Sequence, residues 1–196
     1  MSILVLTSDT LIGTPATGNL EYNGQFFGTD SNASRAQLQR ITQGTAVAST
    51  SGTSIDFTGL PSWVKKITVM LSGVSLSGAG LPVIQIGSGS VETTGYVSYA
   101  GYVAAGSGAT TATTYFLTRA GSSGTADVVY GIATIALVGS NIWVYSFSGG
   151  MNSGGNYGLV GGGTKTTSGT LDRVRITSTN GTDTFDAGTV NILYEG

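Results

Sequence analysis

The sequence predicts an all-β protein: an antiparallel β-sandwich or jelly roll of about eight to ten strands, with a small N-terminal hairpin and short helix. Three observations carry this. Short β-branched and aromatic runs recur at roughly ten-residue spacing between Gly, Ser and Asn turns. Glycine alone contributes 32 of 196 residues, and Ser and Thr are similarly abundant. Only one stretch of the chain has helical composition.

Residues 1–45 read as an N-terminal attachment or trimerisation element, and 46–196 as the sandwich domain. In the first, Asn23-Gly24 lies between Leu20-Glu21-Tyr22 and Gln25-Phe26-Phe27. An Asn-Gly pair tolerates the two positive φ angles of a type I′ turn, so a hairpin is expected here. Asp30 to Ile41 is the helical stretch, one or two turns capped by Asp30 or Ser31. Gln43 to Ser54, small and polar, reads as a linker.

Beyond Ile55 the expectations are strands. Lys66 to Leu71 would place Ile67, Val69 and Leu71 on one face. Val83–Ile86, Tyr96–Tyr99 and Thr113–Thr118 are shorter candidates. Asp127–Val138 is apolar at both parities and reads as a central strand covered on both faces. Ile142–Phe147 aligns Trp143, Tyr145 and Phe147. In Leu171–Ser178, Val174 and Ile176 point inward and Arg173, Arg175 and Thr177 outward. Val190–Tyr194 is the last strand.

Composition excludes several chemistries. There is no His and no Cys, which removes Ser-His-Asp and Cys-His triads, thiolate or imidazole zinc sites, His- or Cys-ligated haem, and disulfides. Charged residues make up 9% of the chain and the net charge is −2, so the clustered Lys and Arg of a nucleic-acid footprint are missing. Apolar residues at 40% and a mean hydropathy of +0.21 favour a folded domain over disorder. Only Ile3 to Leu6 are continuously apolar near the start, too few for a signal-peptide core, and no run reaches membrane-spanning length.

The remaining motifs are weak. Ser62-Trp-Val-Lys65 matches S-x-x-K without its companion elements. Gly158-Leu-Val-Gly-Gly-Gly163-Thr-Lys165 resembles a phosphate loop, but Thr164 separates Gly from Lys, and a mobile surface loop is the better reading. Asp183 and Asp186 could approach a Ca²⁺, though turn capping explains them better. The sequence assigns no catalytic residue, no metal and no cofactor. Tyr96, Tyr99 and Tyr102 form the most aromatic patch and are the candidate receptor-contact residues, because tyrosine pairs an apolar face with a hydroxyl. In a strand Tyr96 and Tyr99 face opposite sides, so only part of the set can be exposed together.

Several segments resemble the C-terminal adhesive domains of tailed-bacteriophage tail-fibre proteins. They are Ser54-Ile-Asp-Phe-Thr-Gly-Leu-Pro-Ser-Trp-Val-Lys-Lys-Ile-Thr-Val-Met70, Val83-Ile-Gln-Ile-Gly87, Val91-Glu-Thr-Thr-Gly-Tyr96, Asp172-Arg-Val-Arg-Ile176, Thr182-Asp-Thr-Phe-Asp-Ala-Gly188 and Val190-Asn-Ile-Leu-Tyr-Glu195. Thr14 to Phe27 is similar to a hairpin module that precedes such domains. The resemblance implies a non-enzymatic virion protein of the tail fibre or tail tip, made in the host cytoplasm without a signal peptide. It implies a homotrimer, held at its N-terminal end by another virion protein, that binds a bacterial surface glycan or protein. Neither nucleic-acid binding nor membrane insertion is expected. A capsid decoration protein and a polysaccharide depolymerase are the alternatives. The chain is then a short tip, a fibre held by another protein, or a fragment.

Overall fold

The structure, a computed structural model, describes residues 17–22, 26–29, 32, 34–121, 124–152 and 155–196. It divides between Arg40 and Ile41 into two units. The first holds β1 (Leu20–Tyr22), β2 (Phe26–Thr29) and β3 (Arg35–Gln37), an antiparallel sheet in that order. β1 and β2 form the expected hairpin, with Tyr22 opposite Phe26. Their rings lie 5.0 Å apart. The Asn23-Gly24 turn lies outside the described residues.

The expected short helix is not what forms. Arg35–Gln37 pairs with β2, Thr29 opposite Arg35 and Phe27 opposite Gln37, and Ile41–Gln43 is again strand. A helix this short meets the nucleation cost for one or two bonds, whereas a strand beside β2 completes a ladder at once. The proposed caps Asp30 and Ser31 lie outside the described residues.

The second unit contains β4 (Ile41–Gln43), β5 (Val47–Ala48), β6 (Ser54–Thr58), β7 (Lys66–Leu76), β8 (Pro82–Ser88), β9 (Ser90–Val91) and β10 (Tyr96–Val103). It continues through β11 (Ser107–Ala112), β12 (Phe116–Leu117), β13 (Val128–Gly139), β14 (Ile142–Asn152), β15 (Asn156–Thr166), β16 (Arg173–Ser178) and β17 (Phe185–Glu195). No helix occurs among the described residues. Nine strands form one sheet, in the order β11-β10-β15-β14-β13-β7-β17-β4 with β5 also on β17. Five form the other, β12-β8-β16-β6 with β9 on β8. Every pairing is antiparallel.

The stretch expected to be a linker instead covers β17. Gln43 lies opposite Leu193 and Ala48 opposite Thr189, and fully buried Ser49 donates its hydroxyl to Ala187 O at 2.8 Å. Left bare, β17 would be a long open edge, so small polar residues that can follow its ladder are suited to the place. Between β13 and β14 the chain reverses through Ser140 and Asn141, both at positive φ (49° and 63°), the signature of a type I′ hairpin turn.

The core lies between the two sheets. β7 contributes Ile67, Val69 and Leu71, β16 Val174 and Ile176, and β14 Trp143, Tyr145 and Phe147. Phe116 of β12 stacks on Tyr145 at 4.4 Å and meets Tyr96 edge-on at 4.9 Å. One aromatic group thus joins both sheets. Such pairs are worth about 0.5–1.5 kcal/mol each beyond their burial.

The glycine-rich segment read as a mobile loop is β15, an eleven-residue strand between β10 and β14. Its inward Gly161 makes room for aromatic neighbours, and Gly163 for the close approach of the Val97 carbonyl of β10. Gly163 sits opposite Tyr145 and Gly161 opposite Phe147. A Cβ on Gly161 would meet Leu117 O at 2.5 Å and Phe147 Cβ at 3.2 Å. Gly162 faces the other way, with nothing nearer than 3.8 Å. We expect Gly161→Ala to cost about 2 kcal/mol through overpacking, and Gly162→Ala to change stability by less than about 0.5 kcal/mol. Urea unfolding of both variants checks this; equal losses would show that side-chain room at β15 is not the determinant.

Candidate functional site

Alternation along β10 separates the candidate tyrosines. Tyr96 faces the core and is 1% exposed. Its hydroxyl accepts from Ile86 N–H at 2.8 Å and donates toward the carbonyls of Ile86 (3.1 Å) and Glu92 (2.9 Å). Burial pushes its phenol well above the usual range. Tyr96 is therefore a core residue, and its place in the candidate contact set is withdrawn. Tyr102, on the same inward parity, is half-buried. It meets Tyr157 edge-on at 5.5 Å, and the Arg119 guanidinium lies 5.5 Å from its ring and 5.3 Å from that of Tyr157. Arg119 is buried, donates to Ala120 O at 2.9 Å and faces Asp127 at 3.8 Å. These two rings support a buried cation. Tyr99 alone of the three projects outward, at 58% exposure.

Tyr99 belongs to the outer face of the nine-stranded sheet. Register places Tyr99, Gly162, Ser146, Thr134 and Thr68 in one row across five strands. Gly101, Val160, Ser148, Ile132 and Met70 form the next. Across β10, β11, β13, β14 and β15 the only charged residue is Lys165, and it points inward. At the far end of this face Lys66 and Glu195 neutralise each other at 2.6 Å. Nine large apolar side chains stand exposed here, from Ile142 at 39% to Val138 at 68%. Together they make an extended apolar face of the kind that soluble monomers rarely leave uncovered. β13 was expected to be covered on both sides. Its Val129, Ala133 and Ile135 are buried, but Tyr130 and Ile132 face out. Beside Tyr99, an apolar groove of about 520 Å³ runs between Val160 and the edge strand β11, floored by Gly101 and Gly162.

The outer face of the five-stranded sheet differs. Arg175 grips Asp56 through Nε (2.7 Å) and Nη2 (2.9 Å). Beside this pair, a groove of about 420 Å³ is lined by Ser54, Gln85, Thr93, Tyr115, Arg175, Thr177 and their neighbours.

The weaker motifs resolve into structure. Lys165, the lysine of the phosphate-loop resemblance, is buried beside Tyr96 and pairs with Glu92. Glu92 also accepts from Ser168 N (2.8 Å) and Oγ (2.9 Å). Ser62 and Lys65 are both exposed, and no hydrogen bond joins them among the described residues; Trp63 between them packs on Tyr194 at 5.8 Å. Asp183 accepts from Gly80 N at 2.7 Å while Asp186 accepts from the Ser75 hydroxyl, so the two carboxylates serve different loops. No group of three metal-ligating side chains occurs among the described residues. The remaining acids of the second unit pair with cations: Asp172 with Arg173 at 2.7 Å, and Asp56, Asp127 and Glu195 as above.

Comparison with family models, curated proteins and solved structures finds no match to this chain.

Burial raises the Glu92 carboxyl, but the hydrogen bonds from Lys165 and Ser168 outweigh it and hold the group below its ordinary value. A carboxylate lowered in the folded state stabilises above its unfolded pKa and loses that contribution as pH falls through the folded value. Glu92→Gln should therefore lower stability at pH 7 by about 3 kcal/mol, since Lys165 stays buried without its partner. The gap to the wild type should narrow as pH falls below Glu92's ordinary value of 4.5, read by urea titration at each pH. A gap constant with pH would contradict the role given to this pair.

Proposed function

We propose that this chain is a structural protein of a tailed-bacteriophage particle, located in the tail fibre or tail tip, that adsorbs the particle to a bacterial surface glycan or protein. The observation that carries the reading is the outer face of β11, β10, β15, β14 and β13, five adjacent strands of the large sheet that present no charge there. Exposed large apolar side chains gathered on one sheet face are what the core of a protein interface presents to its partner. Without charges, three copies of such a face can gather about a threefold axis with no like-charge repulsion. The trimer implied by the sequence resemblance uses the middle of this face, around Ile132, Val144 and Met70. Tyr99, near the sheet margin, then lies outside the contact between copies.

The composition supports the same reading. The acids of the second unit are engaged in ion pairs or loop hydrogen bonds, which suits a scaffold that holds a surface in place. Three copies joined rigidly convert weak single contacts into useful avidity. Another virion protein would hold the N-terminal element, residues 1–45. Light scattering of the purified protein should give three times the 19.8 kDa chain mass, and Ile132→Asp should reduce it to one. Labelled antibody should mark the tail of the particle. A wild-type monomer, or label spread over the head, would contradict the proposal.

A further inference from the structure

We propose that the polar groove on the outer face of the five-stranded sheet is a binding site for a neutral saccharide of one or two rings. The inference deepens the adsorption reading and rests on it for its biological meaning, since it names the receptor chemistry and places it away from Tyr99.

Strand parity builds the site. Val174 and Ile176 face the core, so Arg175 and Thr177 face out. Gln85, held between core residues Ile84 and Ile86, lies opposite Arg175, which in turn lies opposite Asp56. The segment at Thr114–Tyr115 closes one side, and the turn at Thr179–Gly181 another. At about 420 Å³ the groove falls within the ~300–1,000 Å³ range of small-molecule sites.

Hydrogen-bonding capacity selects the ligand. Gln85 is 7% exposed and spends its Nε2 on Thr114 O at 3.1 Å, while its Oε1 accepts nothing among the described residues. The Tyr115 hydroxyl, the Arg175 Nη1 and the Thr93 and Thr114 hydroxyls also make no hydrogen bond there. Asn180 directs Oδ1 to its own turn, accepting from Ser178 Oγ at 2.9 Å and from Thr182 N and Asp183 N at 3.1 Å each, which leaves its amide donor for a ligand. Unspent donors and acceptors therefore converge within one groove, and a ligand carrying several hydroxyls matches both kinds at once. Charge narrows the class. The Arg175 guanidinium is already paired in a two-pronged contact with Asp56, so the groove offers no free cation to an acidic sugar and no free carboxylate to an amine. Tyr115, half-buried against the Val83–Ala100–Leu117 cluster, supplies the aromatic wall on which a sugar ring can rest.

Saturation-transfer NMR on the intact chain tests this with the methyl glycosides of glucose, galactose, rhamnose and N-acetylglucosamine. N-acetylneuraminic acid and an uncharged heptapeptide serve as contrasts. We expect transfer to at least one neutral glycoside at millimolar concentration, lost at least tenfold in Tyr115→Ala and weakened in Tyr115→Phe. Tyr99→Ala should leave it unchanged. A thermal melt of each variant confirms folding, and Thr93→Arg, which crowds the groove from an exposed position, should also abolish transfer. Several results would overturn the inference: no transfer to any neutral glycoside, stronger transfer to the acidic sugar or the peptide, or transfer lost with Tyr99 and kept with Tyr115. A particle whose chain binds sugar here but adsorbs equally well with Thr93→Arg would remove the groove from adsorption and leave the adhesion reading standing. Label absent from the tail would sink that reading and leave the saccharide site intact.

Discussion

The second unit depends on one steric exchange: aromatic side chains on β14 packed against strands that present glycine. Trp143, Tyr145 and Phe147 point into the sandwich from a single strand. Cross-strand neighbours lie about 5 Å away, so Tyr145 and Phe147 fit where a neighbouring strand presents glycine. Gly161 does so from β15, where a Cβ would lie 3.2 Å from Phe147 Cβ and 3.3 Å from Tyr145 Cε1, and Gly131 from β13, where a Cβ would meet Phe147 Cζ at 2.5 Å; Trp143 instead lies opposite Leu137 and Lys165. Glycine in a strand normally weakens it. Here the rings fill the space, and Phe116 and Tyr96 extend the same aromatic group to the second sheet. The glycine content and the aromatic core are thus two halves of one packing solution.

The scarcity of charge is the complementary constraint. Most ionisable groups of the second unit are used inside it: Lys165 with Glu92, Arg119 with Asp127 and two rings, Arg175 with Asp56. Little charge is left for the surface, and none for the outer face of five adjacent strands. That face must be covered in an assembly or tolerated as exposed apolar surface, which soluble monomers rarely do at this size. The opposite sheet keeps its polar groups in a groove whose formal charges cancel. The two faces of one sandwich are therefore chemically distinct, and the proposed functions follow that division: assembly on one, saccharide contact on the other.

Where period-two alternation was clean, the sequence could be read directly. β7 and β16 appear as expected, with Ile67, Val69, Val174 and Ile176 inward, and the opposite parities of Tyr96 and Tyr99 on β10 follow from the same rule. β15 was illegible because two of its inward positions, Gly161 and Gly163, are glycines between buried Leu159 and Lys165, and a strand with such gaps in its alternation looks like a loop. β13 was legible as a strand, but its second apolar face does not pack within the chain. The residues 43–54 looked like a linker because pairing to β17, at the far end of the sequence (Gln43 with Leu193, Ala48 with Thr189), leaves no local signature. The saccharide groove was hidden for the same reason: Gln85, Tyr115 and Arg175 meet only through strand order.

The central claim is that the uncharged face of the large sheet is covered by copies of the chain. Because the protein contains no cysteine, a single Ile132→Cys substitution provides one thiol in the middle of that face, and Thr58→Cys provides an exposed control on the other sheet. Labelling with a thiol reagent under native conditions measures access to each. The account predicts that Cys at 58 reacts at once, while Cys at 132 reacts at least tenfold more slowly until denaturant is added. Equal, immediate labelling at both positions would show the face open to water and contradict the account.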